Sequence, residues 1–359
     1  MILRTSTEIR QLIRRMLDRC DLTEHEAEQA FDDMLLGRLG DAEIASFLVA
    51  LAMKGESPAE IRAAVRSIKK HSRTISPKSA GKIIDTCGTG GDSKSTFNIS
   101  TVAGIVASAA GATIAKHGNR SSSGVCGSAD FMEAVGFALD SPPSGVQKSI
   151  EEIGLGFLFA PMFHPLMRNV SSARKAMGVR SVFNIAGPLC NPCENLSGQV
   201  IGVYSESLAA RLVEALGEHG ANVMIVSGSD GLDELSTTCS SKVTWIRNSG
   251  KESTVVSPGE LGMKETGITD LQVASKEESV TETLKVIYGI GSRQKEDVVV
   301  LNAAAALLVS ATCASFEEGV KRSREAISTG AARRQLTGLV ERCGDLKKLG
   351  TAEKDYLGL

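Results

Sequence analysis

An α/β protein is predicted, with a small helical domain at the N-terminus and a larger domain around a central, mostly parallel sheet. Three observations carry that prediction. The first 75 residues hold four amphipathic segments with helix start signals, short apolar runs alternate with longer amphipathic stretches from Lys82 onward, and the first such run opens into a glycine turn.

The helical signals are regular. Thr5 with Glu8, Thr23 with Glu26 and Ser57 with Glu60 have capping-box spacing, Asp41 is placed to cap the third helix, and Pro58 suits a first turn. Ile9, Leu12, Ile13, Met16 and Leu17 share one predicted face, Ala27, Ala30, Phe31, Met34 and Leu35 another, and Ile44, Phe47, Leu48 and Leu51 a third.

The runs IIDTC, ATIAKH, FALD, GFLFAP, QVIGVY, NVMIVSG and KVTWIR are the expected strands. Residues 100–110, rich in Ala, Gly and Ser, predict a helix lying close on its strand, and further helices are expected near 278–289, 295–312 and 315–329. A basic helical stretch from Met162 to Pro192 interrupts the alternation. The expected division is therefore a helical domain over 1–77 completed by about 163–190, and an α/β domain over 78–162 and 191–359, with a ligand cleft between them.

Composition narrows the function classes. A chain of 359 residues, 42% apolar, can bury a full core, and its net charge of −2 offers no general attraction to nucleic acid or anionic lipid. An anionic ligand must be caught locally. The N-terminus carries Glu8 and amphipathic spacing rather than a signal-peptide core, no run of apolar residues is long enough to span a bilayer, and a cytoplasmic location is expected. Of eight cysteines only Cys190 and Cys193 form a CxxC pair; it lies in a proline-rich turn with no second pair, so both thiols read as structural.

Asp85 to Thr101 reads DTCGTGGDSKSTFNIST. Ser93 stands where both a Walker A loop and a dinucleotide fingerprint need glycine, yet an open glycine turn after a strand still lets backbone N–H groups converge on an anion. A surface turn would read the same way. KHGNRSSSG, from Lys116 to Gly124, follows the second strand and should emerge on the same sheet edge, although Lys116 and Arg120 suit a solvated loop equally. Asp230, Asp233 and Glu234 form either a solvated acidic turn or a hard oxygen site for magnesium. In the helical insertion Arg168, Arg174 and Arg180 are equal candidates to clasp a carboxylate.

DTCGTGGD, FNIST, KHGNR, GSAD, HPLM, VRSVFNIAGPLCNP and DGLDE occur here in one order over nearly the whole chain. In that order the sequence resembles the anthranilate phosphoribosyltransferase family. The resemblance implies a fold of the nucleoside phosphorylase and phosphoribosyltransferase type. It implies transfer of phosphoribose from phosphoribosyl pyrophosphate (PRPP) to the amine of anthranilate in tryptophan synthesis. One or two Mg2+ ions and a homodimer through the helical domain come with it.

By that resemblance Gly88, Gly91, Asp92, Thr96, Asn98, Ile99, Ser100 and Thr101 hold the donor, and Lys116, His117, Gly118, Asn119, Arg120, Ser121, Ser122, Ser123 and Gly124 cover it, with Ser128 beside them. Ser100, Asp233 and Glu234 correspond to magnesium contacts. Anthranilate is expected against Gly88, His117, Asn119, Arg174 and Pro188, and Lys116, Asn119 and Arg174 are the expected catalytic residues.

The chain departs from the family pattern at Gly124, Val125 and Cys126, where more polar residues are usual, and mildly at Ser181 and Cys190. Two other functions compete with this one. A pyrimidine nucleoside phosphorylase fits the motifs less well, and a nucleic-acid-binding relative would need a basic stripe that the charge balance lacks.

Overall fold

The computed structural model describes residues 6–121, 124–217, 222–247 and 250–359. Its first elements are α1 (Ser6–Leu17), α2 (Glu24–Leu35), α3 (Asp41–Lys54) and α4 (Pro58–Lys70). The Thr23 hydroxyl accepts the Glu26 N–H while the Glu26 carboxylate accepts the Thr23 N–H, and Ser57 and Glu60 repeat the exchange. Two otherwise orphaned donors are thus satisfied at each start. Thr5 lies outside the described residues. At α3 the cap is Gly40, whose N–H donates to Glu43 at 3.1 Å; Asp41 is already helical, and its charge favours the positive end of the dipole.

Ile9, Leu12 and Met16 are buried with Phe31, Met34, Ile44, Phe47 and Leu51 in one core. Leu17 is 63% exposed and leaves the predicted stripe, because it sits about 100° round the helix from Met16.

The chain continues through β1 (Ile83–Asp85), α5 (Ile99–Ala109), β2 (Thr113–Gly118), α6 (Ser128–Ala134), α7 (Pro143–Ile153) and β3 (Leu155–Phe159). It then leaves the sheet as α8 (Ala160–Phe163), α9 (Arg168–Met177) and α10 (Val182–Leu189). Val170, Ala173, Val182 and Phe183 enter the core of α1 to α4, where the Phe183 ring meets Phe31 edge-on at 5.8 Å. Such aromatic pairs add roughly 1 kcal/mol beyond burial. The return runs through β4 (Leu196–Gly202), α11 (Glu206–Gly217), β5 (Val223–Gly228), β6 (Ser241–Arg247) and β7 (Gly250–Val256). The C-terminal third is α12 (Lys276–Ile287), α13 (Arg293–Val309), α14 (Phe316–Ser328), α15 (Ala331–Cys343) and α16 (Leu346–Ala352).

Among the described residues seven strands make one sheet in the order β3-β2-β1-β4-β5-β6-β7. Pairing is parallel from β3 to β5 and antiparallel from β5 to β7. Strand order reverses between β1 and β4, which opens a crevice beyond their carboxyl ends, and the loops after β1, β2, β4 and β5 all leave from that edge. No helix among the described residues is long and apolar enough to cross a membrane.

Two strand expectations are corrected. FALD is not a strand: Phe137 makes a single bridge to Gly344, and the Ala138 N–H donates to the Cys343 carbonyl at 2.8 Å, so the end of α15 takes the place of a sheet neighbour. The unforeseen β7 pairs, among the described residues, only with β6; its residues 250–255 are exposed and Val256 alone enters the core, so the strand needs no apolar face. At the centre, α13 is buried from Val298 to Val309 and shares one core with α5, while Gly104 brings α5 within reach of Thr86 and Ile114. Hence α5 has Ala, Gly and Ser where larger side chains would hold it off the sheet.

Candidate active site

The floor of the crevice begins with a buried carboxylate. Asp85, the last residue of β1, accepts the N–H groups of Thr86 at 2.7 Å and His117 at 3.1 Å, and the Gln199 amide at 3.2 Å. Burial pushes its carboxyl above the ordinary value, and the neighbouring Lys116 opposes that rise. The Lys116 ammonium donates to the Thr86 carbonyl at 3.2 Å and the His117 carbonyl at 3.3 Å, and the residue lines the cavity, with a third N–H left over for a ligand.

The loop after β1 turns back through left-handed residues. Gly90 has φ +66° and Gly91 +86°, and Ser93 at +58° and Ser95 at +56° take the same region without being glycine. Ser93 thus replaces glycine in the motif and still adopts the backbone that glycine favours. Thr89 anchors this loop to β4, donating its N–H and its hydroxyl to the Gly202 carbonyl at 2.9 and 3.1 Å. Arg180 donates to the Gly91 carbonyl and lies 4.7 Å from the centre of the Tyr204 ring. It is therefore committed to the loop and leaves the competition for an acceptor carboxylate.

Three carboxylates meet at one end of the cavity. Asp92 Oδ2 is buried without a hydrogen-bond partner among the described residues. Burial, then the charge of Asp92, pushes Asp233 up to about 7; burial, then Asp233, holds Glu234 well above its ordinary value. Glu234 accepts the Ser100 N–H at 3.1 Å, which brings it to the first turn of α5. An orphaned buried oxygen inside a set of hard oxygen donors fits a divalent cation such as Mg2+. Asp230 belongs elsewhere: its oxygens accept Leu232 N–H, Ser236 Oγ and Thr238 Oγ1, so it staples the turn.

The loop after β2 lies across the crevice. Gly118 leaves no room for a side chain, since a Cβ would fall 2.4 Å from Ser128 Oγ. The Ser128 hydroxyl bridges the Asn119 N–H and carbonyl, and Asn119 Oδ1 accepts the Arg120 N–H. Arg120 is expected at the donor, but its guanidinium is paired with Asp130 and Glu133, which hold its pKa above the usual value. Asn98 precedes α5 and donates to Ser279 Oγ at 3.2 Å and Cys126 Sγ at 3.4 Å. Ser122 and Ser123 lie outside the described residues.

At the other end Arg174 projects from α9, 5.5 Å from the centre of the Phe183 ring. Burial lowers its pKa, and among the described residues no hydrogen bond or ion pair engages its guanidinium. His117 and His164 share a bond between their Nε2 atoms at 3.2 Å. Ser72 donates to the Ile68 carbonyl, which leaves its oxygen to accept from His164 Nδ1 and His164 Nε2 to accept from His117; His117 Nδ1 is buried and has no hydrogen-bond partner among the described residues. Burial first, then His164 and Lys116, keep His117 well below the ordinary value, and burial holds His164 at about 4.

Ligand atoms of Asp85, Cys87 and His117 also lie within 4.8 Å of one another. The Asp85 oxygens are already occupied and burial pushes the Cys87 thiol up to about 12, so this corner is a wall. Cys190 and Cys193 are free and buried, their thiols pushed up to about 12 and about 11.

A single cavity of about 680 Å³ joins these groups. It is lined by every predicted site residue that is described, from Gly88 and Gly91 through Asn98, Ile99, Ser100 and Thr101 to Lys116, Asn119, Ser121, Gly124, Arg174, Pro188, Asp233 and Glu234. Sequence reasoning missed His164, Thr89 and Phe183. HPLM was noted as a motif, but nothing in a lone histidine signals a partner 47 residues away.

Family models match two stretches: a helical bundle domain of the glycosyl transferase family over residues 10–72, and the a/b domain of that family over 80–333. An anthranilate phosphoribosyltransferase from Methanosarcina mazei is 43% identical over 324 residues, covering 90% of this chain and 86% of its own. The chain belongs to the anthranilate phosphoribosyltransferase family. The crystal structure of the Thermus thermophilus member has 36% identity and a TM-score of 0.85, covering 92% of this chain and 99% of that one. The Saccharomyces cerevisiae member in complex with PRPP and Mg has 26% identity and a TM-score of 0.86, covering 97% and 99%. The same yeast protein in complex with 4-fluoroanthranilate has a TM-score of 0.83 at 26% identity, with the same coverage.

Two expected outcomes follow from the local geometry. A Cβ at Gly202 would fall 1.5 Å from the Asp233 carbonyl oxygen, so Gly202→Ala must push the acidic loop off β4. It is expected to cost about 3 kcal/mol in urea unfolding, together with most of the activity; wild-type values for both would refute this contact.

His164 is neutral when folded, with a pKa near 4 against about 6.5 unfolded, so its contribution is present above pH 6.5 and lost as the pH falls towards 4. Asp85, Asp233 and Glu234, with raised values, act in the opposite sense, and the whole-protein curve hides the effect. The measurement is therefore a difference. The stability advantage of wild type over His164→Asn is expected to shrink by about 2 kcal/mol from pH 7 to pH 5, and a constant difference would show that His164 titrates normally.

Proposed function

We propose that this chain transfers the phosphoribosyl group of PRPP to the amine of anthranilate, giving N-(5-phosphoribosyl)anthranilate and pyrophosphate in tryptophan biosynthesis. One observation carries the reading: a single cavity has a glycine loop and three clustered carboxylates at one end and, at the other, beside an aromatic ring, an arginine that no hydrogen bond or ion pair among the described residues engages. The family membership and the ligands of the yeast structures support it.

The loop of Gly88 and Gly91, with Thr96, Asn98 and the first turn of α5 at Ile99, Ser100 and Thr101, offers N–H and hydroxyl groups to the diphosphate. Gly118, Asn119, Ser121, Gly124 and Ser128 cover it. The remaining N–H of Lys116 stabilises charge on the departing pyrophosphate. Mg2+, one or two ions held by Ser100, Asp233 and Glu234, would supply positive charge against the diphosphate when bound. Arg174 takes the anthranilate carboxylate by two parallel hydrogen bonds. Gly88, Asn119, Pro188 and the neutral pair His117 and His164 wall the amine, which is nucleophilic at pH 7 without a base. Alignment of both substrates in one crevice supplies about 7 kcal/mol or more of the barrier reduction.

The reading includes a Mg2+-dependent pentosyltransferase, cytoplasmic and homodimeric through the helical domain. It divides the chain into a helical unit over 1–77 completed by about 163–190 and an α/β unit over 78–162 and 191–359. Mixing the protein with anthranilate, PRPP and Mg2+ should extinguish anthranilate fluorescence. Persistent fluorescence, together with cleavage of thymidine by inorganic phosphate, would make it a phosphorylase instead.

A further inference from the structure

One polar side chain interrupts the apolar middle of α13. Between Val298 and Val309 the helix reads VVVLNAAAALLV, all buried, and Asn302 is its only polar residue. An amide in such a place is costly unless fully bonded. Its bonds are directed at one residue: Asn302 Oδ1 accepts the Leu235 N–H at 2.9 Å, and Asn302 Nδ2 donates to the Leu235 carbonyl at 2.9 Å and the Val298 carbonyl at 2.8 Å. The side chain thus pairs with both backbone groups of Leu235 as a neighbouring strand would.

Leu235 directly follows Asp233 and Glu234. Those carboxylates line one end of the cavity with Asp92, so the position of this segment sets where their oxygens stand. Gly202 supports it from the β4 side, where the Asp233 carbonyl rests on its Cα, and the Asp230 staple closes the turn before it. From behind, the polar hold is Asn302.

We propose that Asn302 is a positioning residue for the acidic pair: from the core helix it holds the Asp233–Glu234 segment in the geometry that receives a divalent cation with the diphosphate. The cation's place rests on the function proposed above. Removing groups that orient metal ligands costs roughly 10- to 100-fold in metal affinity.

The test uses Mn2+ as a paramagnetic probe, titrated into the full-length protein with PRPP and followed by loss of the free-ion electron paramagnetic resonance signal. Asn302→Leu removes both Leu235 bonds at similar volume; Asn302→Asp keeps an acceptor and loses the donor. Val300→Ala, in the same buried helix, serves as a control for lost packing.

Both Asn302 variants should bind Mn2+ about tenfold more weakly at temperatures where circular dichroism shows them folded. Val300→Ala should bind as wild type does, and the KM for anthranilate should stay unchanged in all three. Wild-type Mn2+ affinity in the Asn302 variants overturns the proposal, as does an equal loss in Val300→Ala or a parallel loss of anthranilate affinity. If Asn302→Leu does not fold, Asn302→Asp decides by the same criteria. Wild-type protein that takes up no Mn2+ with PRPP instead refutes the cation reading itself, and the proposal falls with it.

Discussion

Replacing Arg174 by alanine is expected to raise the KM for anthranilate about 100-fold while PRPP binding stays within twofold of wild type, a loss near 3 kcal/mol. The guanidinium is largely buried, has no protein partner among the described residues, and faces the cavity beside Phe183. A cation that the fold desolvates without an internal counter-ion is suited to an anionic ligand, and a carboxylate matches its planar fork. Arg174→Lys should recover only part of the affinity, because an ammonium cannot make the two parallel bonds. Steady-state kinetics with each substrate varied in turn checks both variants. Equal loss of PRPP and anthranilate would show that Arg174 supports the cavity as a whole.

Asp233→Asn should abolish turnover and yet stabilise the metal-free protein above pH 7. The wild-type carboxyl, pushed up to about 7 by burial and by Asp92, stabilises the fold fully only below its unfolded value near 4. That contribution is lost as the pH rises through 7, because the folded state must ionise a group that water would solvate better. Asparagine keeps the shape without the charge. Since Asp233 lines an open cavity that partly solvates it, the expected gain at pH 8 in chelator is on the order of 2 kcal/mol, vanishing near pH 4. Urea unfolding at both pH values measures it. A variant less stable than wild type at pH 8 would mean that Asp233 makes favourable contacts outweighing its desolvation. Stability given up at a functional site is the expected signature of a built cation site.

The same two residues show how far one sequence could be read. Arg174 was legible only as one of three arginines, because spacing along a helix gives no sign of which guanidinium finds an internal partner. The fold assigns Arg180 to the Gly91 carbonyl and the Tyr204 ring, and keeps both α9 arginines on the cavity, Arg174 half-buried beside Phe183 and Arg168 exposed. Asp230 and Asp233 were equally acidic in sequence; three local donors closed one, and Asp92 opposed the other. Helix starts were more legible, since Thr23 with Glu26 and Ser57 with Glu60 bond within a few residues. β7 was not, because an exposed edge strand buries too little to leave an apolar pattern.

By itself the sequence determined what depends on near neighbours: capped helices, apolar strands, the glycine turn and the order of motifs that marks the family. Tertiary structure alone decided what depends on distant partners, such as the place of Arg174 in the cavity, the crowded carboxylates, the His117–His164 pair and the Asn302 hold on Leu235. The physical reason is range. Backbone conformation and capping are governed by contacts within a turn or two, whereas burial and charge at a site are set by side chains that only the completed fold brings together.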